Sequence, residues 1–571
     1  MAAHRRRTQR YTAEEIAELV ASDDEEDQAV LNDVDYEELP SGVLQNLSSD
    51  SEEESDDSEP DVENEAFTAP SGRHWTRPAA NTANLGRAAR QNVMHHRPGF
   101  QQGLHPTCEM EAFSVFSSDL LDTIVRYTNL EARRRILQVP WLKTVWKDVD
   151  LVEMQAFIGI HILCGVYKAQ YRDIKELFRE RDGFPALIAS MTLQRFECIR
   201  KLLRFDDCLR RDRTDPLAPV REIWKNTIQK FQEVYKPGPT LTIDEQLVEY
   251  HGRVKFRMYI PTKPGKYGMK IVWLVDNDST YALNGLVYIG RETFQENEYP
   301  NFQLAEKTVL KLLEPYLGSL HGFNVTLDNW FTSCPLLDEL LANDVTAVGT
   351  VRSNRRDIPP VAKSTNNRTQ NSTLYLQNEQ LLLLSYMDRK KGKPILVLSS
   401  THKVPSQVND GKPEIIQFYN STKSGVDNLD HLVRFYSCKR KTRRWPYSFF
   451  MNLLDVICVN SYVLYKSDNN VSSRYSFLKD LAHQLMRQQM IRRLEESSCR
   501  RAHNAIRMFI CEENCLPSGD GPTTNRDQEL RSGRCCLCPR ALDKKTSIRC
   551  FSCHRFLCLA HRNIVCSHCF S

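Results

Sequence analysis

The sequence feature that most constrains the fold is a short β-branched run that ends on acidic residues. Residues 241–243 are followed at once by Asp244 and Glu245, the pattern of a strand that delivers a carboxylate to a sheet edge. The pattern recurs where the run 323–327 ends on Asp328. Two such carboxylates held side by side repel each other unless a hard cation such as Mg²⁺ neutralises them. A lone aspartate at a strand end is also a common turn former or helix N-cap, so both interpretations stay open for each residue.

The elements around these aspartates alternate between strand and helix. After the Pro-Gly-Pro breaker at 237–239, the patterns predict strands at 241–243, 254–260, 268–275 and 281–289, a helix at 302–317, a strand at 323–327, a helix at 334–342 and a strand at 345–351. This mixed α/β order is that of an RNase H-like core, with carboxylates on the first strand and just after the fourth. We expect residues 353–414 to be an inserted β-rich domain. The core then resumes at 415–440, where a predicted helix at 425–436 places Asp427 and Asp430 on one face.

Helical patterns lie on both sides of this core. They predict helices at 151–167, 193–205, 220–235, 445–465 and 475–495, so we expect residues 106–239 and 441–530 to be two parts of one all-α domain. His161 lies on an apolar helix face and is expected to be a packed core histidine. The helix at 193–205 is basic, because it carries Arg195, Arg200, Lys201 and Arg204. Its basic face is either an ordinary solvated surface or a surface that faces DNA.

The longest apolar run, 445–465, is predicted to be a core helix. Pro446, Asn452, Asp455 and Asn460 recur through it, which disfavours a membrane span. The N-terminal MAAHRRRTQR lacks the apolar region of a signal peptide. Eleven of the 18 cysteines are scattered singly from Cys108 to Cys536, which indicates free thiols in a reducing compartment. We therefore expect a soluble intracellular protein with no membrane partner.

Residues 1–105 are predicted to be disordered. The 76 Lys and Arg nearly balance the 73 Asp and Glu over the whole chain, but here the charges are segregated into acidic runs at 22–27 and 48–59 and a basic arm at 73–97. So much charge with so few large apolar side chains cannot offset the entropy of ordering. The basic arm is compatible with contacts to DNA phosphates.

The C-terminal segment 531–571 carries four pairs of metal-ligand type. They are Cys535 and Cys538, Cys550 and Cys553, Cys558 and His561, and Cys566 and Cys569. Two such pairs complete one tetrahedral Zn²⁺ site, so the segment predicts two structural zinc ions. The alternation of cross-brace folds assigns Cys535, Cys538, Cys558 and His561 to one ion and the other four residues to the second. The alternative is a register in which Cys536 is one of the ligands. A zinc-binding domain of this kind binds either DNA or protein.

Four motifs in this order and spacing resemble the piggyBac transposase family. They are DEQLVEYHGRVKFRMYIPTKPGKYGMK from 244, TLDNWF from 326, VGTVRSNRRDIP from 348 and KSGVDNLD from 423 with RKTRRWP from 440. The resemblance covers about residues 110–571. It implies a DDE/D-type catalytic core, an all-α dimerisation and DNA-binding domain, a nuclear location, and cut-and-paste excision and integration of DNA at TTAA targets.

The resemblance also assigns roles to residues. The catalytic aspartates fall on Asp244, Asp328 and Asp427, with an accessory acid at Asp430, and the three aspartates would hold two Mg²⁺ ions. Contacts to DNA are implied for Asn329, Arg352, Arg356 and Trp445. The indole of Trp445 suits stacking on an unpaired base, although a core tryptophan at a helix start fits the same sequence. The partners implied are double-stranded DNA and a second copy of the chain. A domesticated, catalytically silent DNA-binding protein is the alternative function.

Overall fold

The structure is a computed structural model of the 571-residue chain. It describes residues 66–78, 94, 96–140, 142–290, 293–294, 298–388, 392–402, 412–471, 473–496 and 500–510, with short pieces at 533–535, 537–538, 545–546 and 556–558.

Fifteen α-helices and the 3₁₀ helix Cys208–Arg210 lie in the described part of the chain. Several begin where the sequence supplies a cap, as at Asp150, whose side chain accepts from the amide of Glu153, and Ser333, which accepts from that of Leu336. In chain order they are α1 Glu109–Gln138, α2 Leu142–Val145, α3 Leu151–Val166, α4 Ile174–Leu177, α5 Pro185–Ser190, α6 Leu193–Leu202, α7 Ala218–Val234, α8 Leu304–Leu313, α9 Cys334–Ala342, α10 Pro360–Lys363, α11 Glu414–Thr422, α12 Gly425–Phe435, α13 Trp445–Asp468, α14 Arg474–Glu496 and α15 Arg500–Ile510.

The strands of the described residues are mostly short, and the two longest cross the centre of the molecule. In chain order they are β1 Ala66–Thr68, β2 His74–Thr76, β3 Gly99–Phe100, β4 Tyr235–Lys236, β5 Thr240–Glu249, β6 Arg257–Tyr259, β7 Tyr267–Asp276, β8 Ala282–Val287, β9 Asn324–Leu327, β10 Thr346–Thr350, β11 Thr373–Asn378, β12 Leu381–Tyr386, β13 Ile395–Ser399, β14 Gly533–Arg534 and β15 Lys545–Thr546.

Eleven of these strands form one mixed sheet, in the order β1-β2-β11-β12-β13-β10-β9-β5-β7-β6, with β8 also paired to β7. Strand β9 is parallel to both of its neighbours, β5 and β10. The other pairs in the sheet are antiparallel. Strand β7 is buried along nine of its ten residues, which explains its nearly continuous apolar sequence. Helix α12 packs against β5 and β7, so it lies next to the centre of the sheet.

The helices before and after the sheet pack into one body. Helix α3 packs against α14, and α1 packs against α13 and α14. Gly159 permits the close approach of α3 and α14, since a Cβ there would lie 2.8 Å from the carbonyl oxygen of Ala482. His161 is fully buried and its Nε2 is 2.9 Å from the Tyr447 hydroxyl, which confirms the prediction of a core histidine. Burial lowers its pKa to about 3.

Helix α13 is long and apolar enough to cross a membrane, but its apolar window is 89% buried within the protein. Its polar residues have partners there. Asn460 bonds to the backbone of Ala282, and Asn452 donates to Gln246. The helix is therefore a core helix, as its sequence predicts.

The prediction that residues 1–105 are disordered is wrong for 66–78. Strands β1 and β2 form a hairpin that extends the large sheet through the pairing of β2 with β11. Trp75 is fully buried and its Nε1 donates to the carbonyl of Asp357 at 2.9 Å. Arg73 pairs with Asp338 on α9. One large aromatic side chain and one ion pair anchor a segment whose average composition indicates disorder. Within the same region β3 also pairs with β4, and residues 1–65, 79–93 and 95 lie outside the described residues.

Replacing Trp75 with alanine is expected to release this hairpin from the sheet. Removing a fully buried tryptophan costs about 3–5 kcal/mol, more than a two-strand hairpin can supply alone. Hydrogen exchange should then show lost amide protection at 66–76 and along β11, with the centre of the sheet unchanged. His74→Ala, at an exposed position of the same strand, is the matched control and should keep that protection. Equal protection in both variants would contradict the anchoring role of Trp75.

The predicted inserted domain, residues 353–414, also needs correction. Its strands β11, β12 and β13 do not form a separate layer, because β13 pairs with β10 and continues the central sheet. A second small core of Val348, Leu382, Leu384, Tyr386, Val397 and Ile415 lies against these strands. The segment is β-rich as predicted, and it widens the sheet that holds the site.

Candidate metal centre and nucleic-acid interface

The parallel pairing of β5 and β9 brings Asp244 and Asp328 to the same point of the sheet. The register sets Ile243 opposite Leu327, so the residues that follow them lie side by side. Strand β9 ends at Leu327, whereas β5 continues past Asp244, so the prediction that a strand ends on Asp244 is wrong. The reason is that β7 pairs with β5 over its full length. The carboxylate of Asp244 reaches the site because its parallel neighbour is short.

Glu245 is a third carboxylate at this point, and the sequence reasoning gave it no role. One side-chain oxygen from each of Asp244, Glu245 and Asp328 lies within 4.8 Å of the other two. Adjacent residues of a strand normally point to opposite faces, so strand alternation does not predict that residues 244 and 245 share a site. An all-oxygen donor set of this kind fits Mg²⁺.

Burial and mutual repulsion raise the pKa of both aspartates. The pKa of Asp244 is raised to about 8, first by burial and then by the charges of Glu245 and Asp328. The pKa of Asp328 is also raised, by burial and by Glu245. The amides of Trp330 and Phe331 donate to Asp328 Oδ1 at 2.9 and 3.3 Å and favour its charged form. Full ionisation of the group would place more negative charge here than its surroundings neutralise, and a bound cation would remove that electrostatic cost.

Two lysines supply the positive charge nearest to this group. Lys263 Nζ lies 3.9 Å from Asp427 Oδ1 and donates to the carbonyl of Glu245 at 3.0 Å. Lys270 Nζ lies 3.8 Å from Glu245 Oε2 and 4.1 Å from the centre of the Trp330 ring. Burial lowers the pKa of Lys270, while Glu245 raises it. Neither lysine was predicted as a site residue, because each depends on the register of β7 for its position.

Asp427 and Asp430 lie beside the three carboxylates on α12. Asp427 is in the first turn, its side chain is 67% exposed, and it is not one of the three that lie within 4.8 Å. Asp430 accepts from Gln246 Nε2 at 3.0 Å and pairs with Arg434 at 2.8 Å. Because Gln246 and Asp244 share one face of β5, α12 covers the face that carries Asp244. The role of Asp427 as a third ligand stays a prediction.

The predicted DNA contacts Asn329 and Arg352 form a pair. Both side chains are exposed, and Arg352 Nε donates to Asn329 Oδ1 at 3.2 Å. Arg356 is also exposed, in the loop that follows β10. Arg355 between them was not predicted, and its Nη2 donates to the carbonyl of Trp330 at 3.0 Å. This loop therefore presents its arginines next to the residues that follow Asp328.

Trp445 begins α13 and is half-buried. Its ring meets Phe256 edge to face at 5.3 Å between centroids and Phe449 at 6.5 Å. Nearby, the Tyr250 hydroxyl donates to the carbonyl of Arg443. These contacts fix the ring at the border of the core, which suits a packing role and leaves part of the ring accessible.

Most of the Lys and Arg residues in the basic segments 193–205 and 439–444 have partners inside the protein. Arg444 donates to carbonyls at the C-terminal end of α6, as a helix cap, and Arg440 donates to the carbonyls of Ala169 and Arg172. Within 439–444 the exposed residues are Lys441 and Arg443. Three of the four basic side chains of the 193–205 segment form ion pairs, namely Arg195 with Glu153, Arg200 with Glu197 and Arg204 with Glu131. These three arginines therefore do not support the interpretation that the helix faces DNA.

Three of the predicted zinc ligands lie together. The sulfurs of Cys535, Cys538 and Cys558 lie within 4.8 Å of one another, and those of Cys538 and Cys558 are 3.5 Å apart. Two thiolates on one tetrahedral Zn²⁺ lie about 3.8 Å apart, given Zn–S bonds of about 2.3 Å. The donor set thus fits zinc. The remaining predicted ligands lie outside the described residues: Cys550, Cys553, His561, Cys566 and Cys569.

Comparison with known proteins places residues 108–462 in the family described as Transposase IS4. The chain is similar to PiggyBac transposable element-derived protein 3 of Homo sapiens, with 24% identity over 388 residues. That match covers 63% of this chain and 61% of the relative, so the chain spans about three fifths of the relative's length. It is also similar to a cryo-EM structure of a piggyBac transposase synaptic complex with hairpin DNA, with a TM-score of 0.67 and 32% identity over 83% of this chain and 100% of that one.

Proposed function

The chain belongs to the piggyBac-type Transposase IS4 family, and from that premise we propose that it is a metal-dependent DNA transposase. The proposed reaction is cut-and-paste. One strand is nicked at the element's end, the released 3′-hydroxyl attacks the opposite strand to form a hairpin, the hairpin is opened, and the end is joined to a TTAA target.

One observation carries this proposal above the others. Asp244, Glu245 and Asp328 lie within 4.8 Å of one another at the point where β9 ends, in a setting that raises the pKa of both aspartates. A packing role does not account for three carboxylates at this separation, because their repulsion destabilises the fold. The strand order β8-β7-β5-β9-β10, antiparallel then parallel, supports an RNase H-like core as the frame that holds them.

In this proposal Asp244, Asp328 and Asp427 would hold two Mg²⁺ ions, for which carboxylate oxygens are suitable ligands. When bound, the ions would activate the attacking hydroxyl and stabilise the leaving oxygen of the phosphodiester. The residues of the chain hold the carboxylates in position. The amides of Trp330 and Phe331 orient Asp328, and the salt bridge to Arg434 and the bond from Gln246 hold Asp430 in place. Positioning and charge neutralisation supply most of the rate enhancement in such sites.

The remaining assignments extend the same proposal. Asn329, Arg352 and Arg356 would bind DNA phosphates or target bases, and Trp445 would stack on an unpaired base through its accessible part. The all-α body would hold two transposon ends in a homodimer. The C-terminal segment, with two zinc ions, would bind subterminal DNA. We place the protein in the nucleus, where this substrate lies.

A second candidate function is a domesticated, catalytically silent DNA-binding protein. The observation in its favour is the similarity to a relative whose name describes it as derived from a transposable element. The intact group of carboxylates favours the enzyme, since DNA binding alone gives no physical reason to keep mutually repelling aspartates buried.

The test is excision of a reporter element from a plasmid, with the element's own inverted-repeat ends and flanking TTAA. We expect excision by the wild type and none by Asp328→Ala, which lacks one of the two adjacent carboxylates. Absence of excision by both proteins, with binding to the same ends retained, would support the silent DNA-binding protein. Excision by both would reject the site.

A further inference from the structure

The hairpin of β6 and β7 and the loop before it carry a charged and aromatic surface that has no assigned role. Residues 251–267 contain five Lys or Arg and no Asp or Glu. Arg253, Lys255, Arg257 and Lys266 are exposed. Two tyrosines of the same hairpin are unusually accessible, Tyr259 at 50% and Tyr267 at 41%. Glu249 is the acidic residue beside them, and it pairs with His251 at 3.1 Å. Large aromatic side chains at this exposure, in a segment whose own charges are all positive, are typical of nucleic-acid binding surfaces.

The aromatic and cationic groups are already arranged for such a ligand. Tyr259 lies opposite Tyr267 across the two strands, with ring centroids 4.8 Å apart and planes at 39°. The Arg257 guanidinium lies 5.3 Å from the centre of the Tyr267 ring. Its Nη1 donates to the carbonyls of His251 and Gly252. These two bonds use one nitrogen of the guanidinium, which has five N–H donors in total. The three side chains form a preorganised surface, which we call the Tyr259 patch.

The same hairpin is joined directly to the carboxylates. Lys263 lies in the turn of the hairpin, where it donates to the carbonyl of Glu245 and lies 3.9 Å from Asp427. At its other end, buried Phe256 packs against Trp445. The Tyr259 patch therefore belongs to the element that connects the proposed catalytic group to the proposed base-stacking tryptophan.

We propose that the Tyr259 patch binds an unpaired nucleotide of the DNA strand next to the scissile phosphate. The base stacks on the tyrosine pair, and Arg257 binds the neighbouring phosphate. The inference rests on the proposed function in one respect, that DNA is the ligand of the adjacent site. An aromatic pair is the part that selects an unpaired base, because a paired base in a duplex does not offer its face to a side chain. The surrounding positive charge attracts the phosphates whatever their sequence.

Binding of two labelled DNAs to the full chain tests this inference without any cleavage. One is the transposon end with a single-stranded four-nucleotide flank, and the other is the same end with the flank fully paired. We expect the wild type to prefer the unpaired flank, and Tyr259→Ala to lose about tenfold in affinity for it with the paired DNA unchanged. Tyr259→Phe keeps the ring and should restore the preference. Arg257→Gln should weaken both DNAs and reduce the salt dependence by about one ion.

Tyr475→Ala is the matched control, at a tyrosine that is 39% exposed on α14, and it should bind as the wild type does. Equal loss for both DNAs in Tyr259→Ala, or no loss for either, would overturn the inference. A changed sedimentation coefficient in Tyr259→Ala without a changed DNA preference would instead assign the patch to contact between copies of the chain. If the wild type excises the element but Tyr259→Ala shows one of these contrary results, only the role of the Tyr259 patch is rejected. A wild type that shows the preference but never excises rejects only the enzyme.

Discussion

Replacing Asp244 with asparagine is expected to lower strand cleavage by about 10³-fold or more while making the metal-free protein more stable. The loss follows from removing a carboxylate that would hold the catalytic ions, whose contribution is the stabilisation of developing charge. The gain follows from the electrostatics of the site. Burial, Glu245 and Asp328 all disfavour the charged form of Asp244, and an amide of the same shape carries no charge to disfavour.

The pH dependence of stability gives this prediction a definite sign. The pKa of Asp244 is raised to about 8 in the fold, above its ordinary value of 3.8. Its contribution to stability is therefore full below about pH 4 and is lost as pH rises towards 8. Thermal unfolding in a chelator should show this decline in the wild type and a smaller one in Asp244→Asn.

Added Mg²⁺ should raise the melting temperature of the wild type, because it binds only the folded protein, and should raise that of Asp244→Asn much less. Asp278→Asn, at an exposed turn position between β7 and β8, is the matched control and should follow the wild type in every measurement. Retained cleavage in Asp244→Asn, or an unchanged pH dependence in the chelator, would contradict the assignment of this residue.

Much of the frame of the site could be predicted from local patterns. The strands at 268–275, 323–327 and 345–351 and the helices at 334–342 and 425–436 lie within a few residues of β7, β9, β10, α9 and α12. These elements are apolar enough for their periodicity to decide their type. The sequence predicts that two strands ending on Asp244 and Asp328 can hold these carboxylates side by side, but it does not show that the strands are neighbours, and β5 extends further than predicted.

The rest of the site depends on contacts between distant parts of the chain. Glu245 joins the two aspartates only because β9 stops one residue short of Asp328, and Lys263 reaches Asp427 only through the register of β6 and β7. A window of sequence contains neither fact. The same limit explains Trp75, whose indole donates to the carbonyl of Asp357, 282 positions away.

The basic segments show a related limit. Charge runs predict attraction to phosphate, but an arginine is satisfied equally well by carboxylates and by the carbonyls at a helix end. Arg204 and Arg444 have those partners, whereas Arg443 is exposed. Sequence can thus count the cations of a segment, and only the packing of α6 and α13 decides which of them face the solvent.

Loss of zinc is expected to abolish binding to transposon ends while leaving the carboxylate group intact. A segment of about forty residues has too little core to fold alone, so metal binding must supply its folding free energy, about 10–16 kcal/mol for structural zinc sites. Cys535, Cys538 and Cys558 already lie within 4.8 Å of one another, so they are the group in which to test this. We expect Cys538→Ser to bind at least one zinc ion fewer per chain and to lose about 100-fold or more in affinity for the ends.

Cys536→Ser is the matched control, because Cys536 is the spare cysteine of the cross-brace assignment. Metal content measured by mass spectrometry should be two zinc ions in the wild type and in Cys536→Ser, and Mg²⁺ should still stabilise Cys538→Ser, since Asp244 and Asp328 lie on the sheet. Zinc loss in Cys536→Ser would show that the register shifts by one cysteine. Zinc loss in Cys538→Ser with unchanged affinity for the ends would reject DNA binding by this segment and favour a protein-binding finger, because its folding then contributes nothing to the DNA complex.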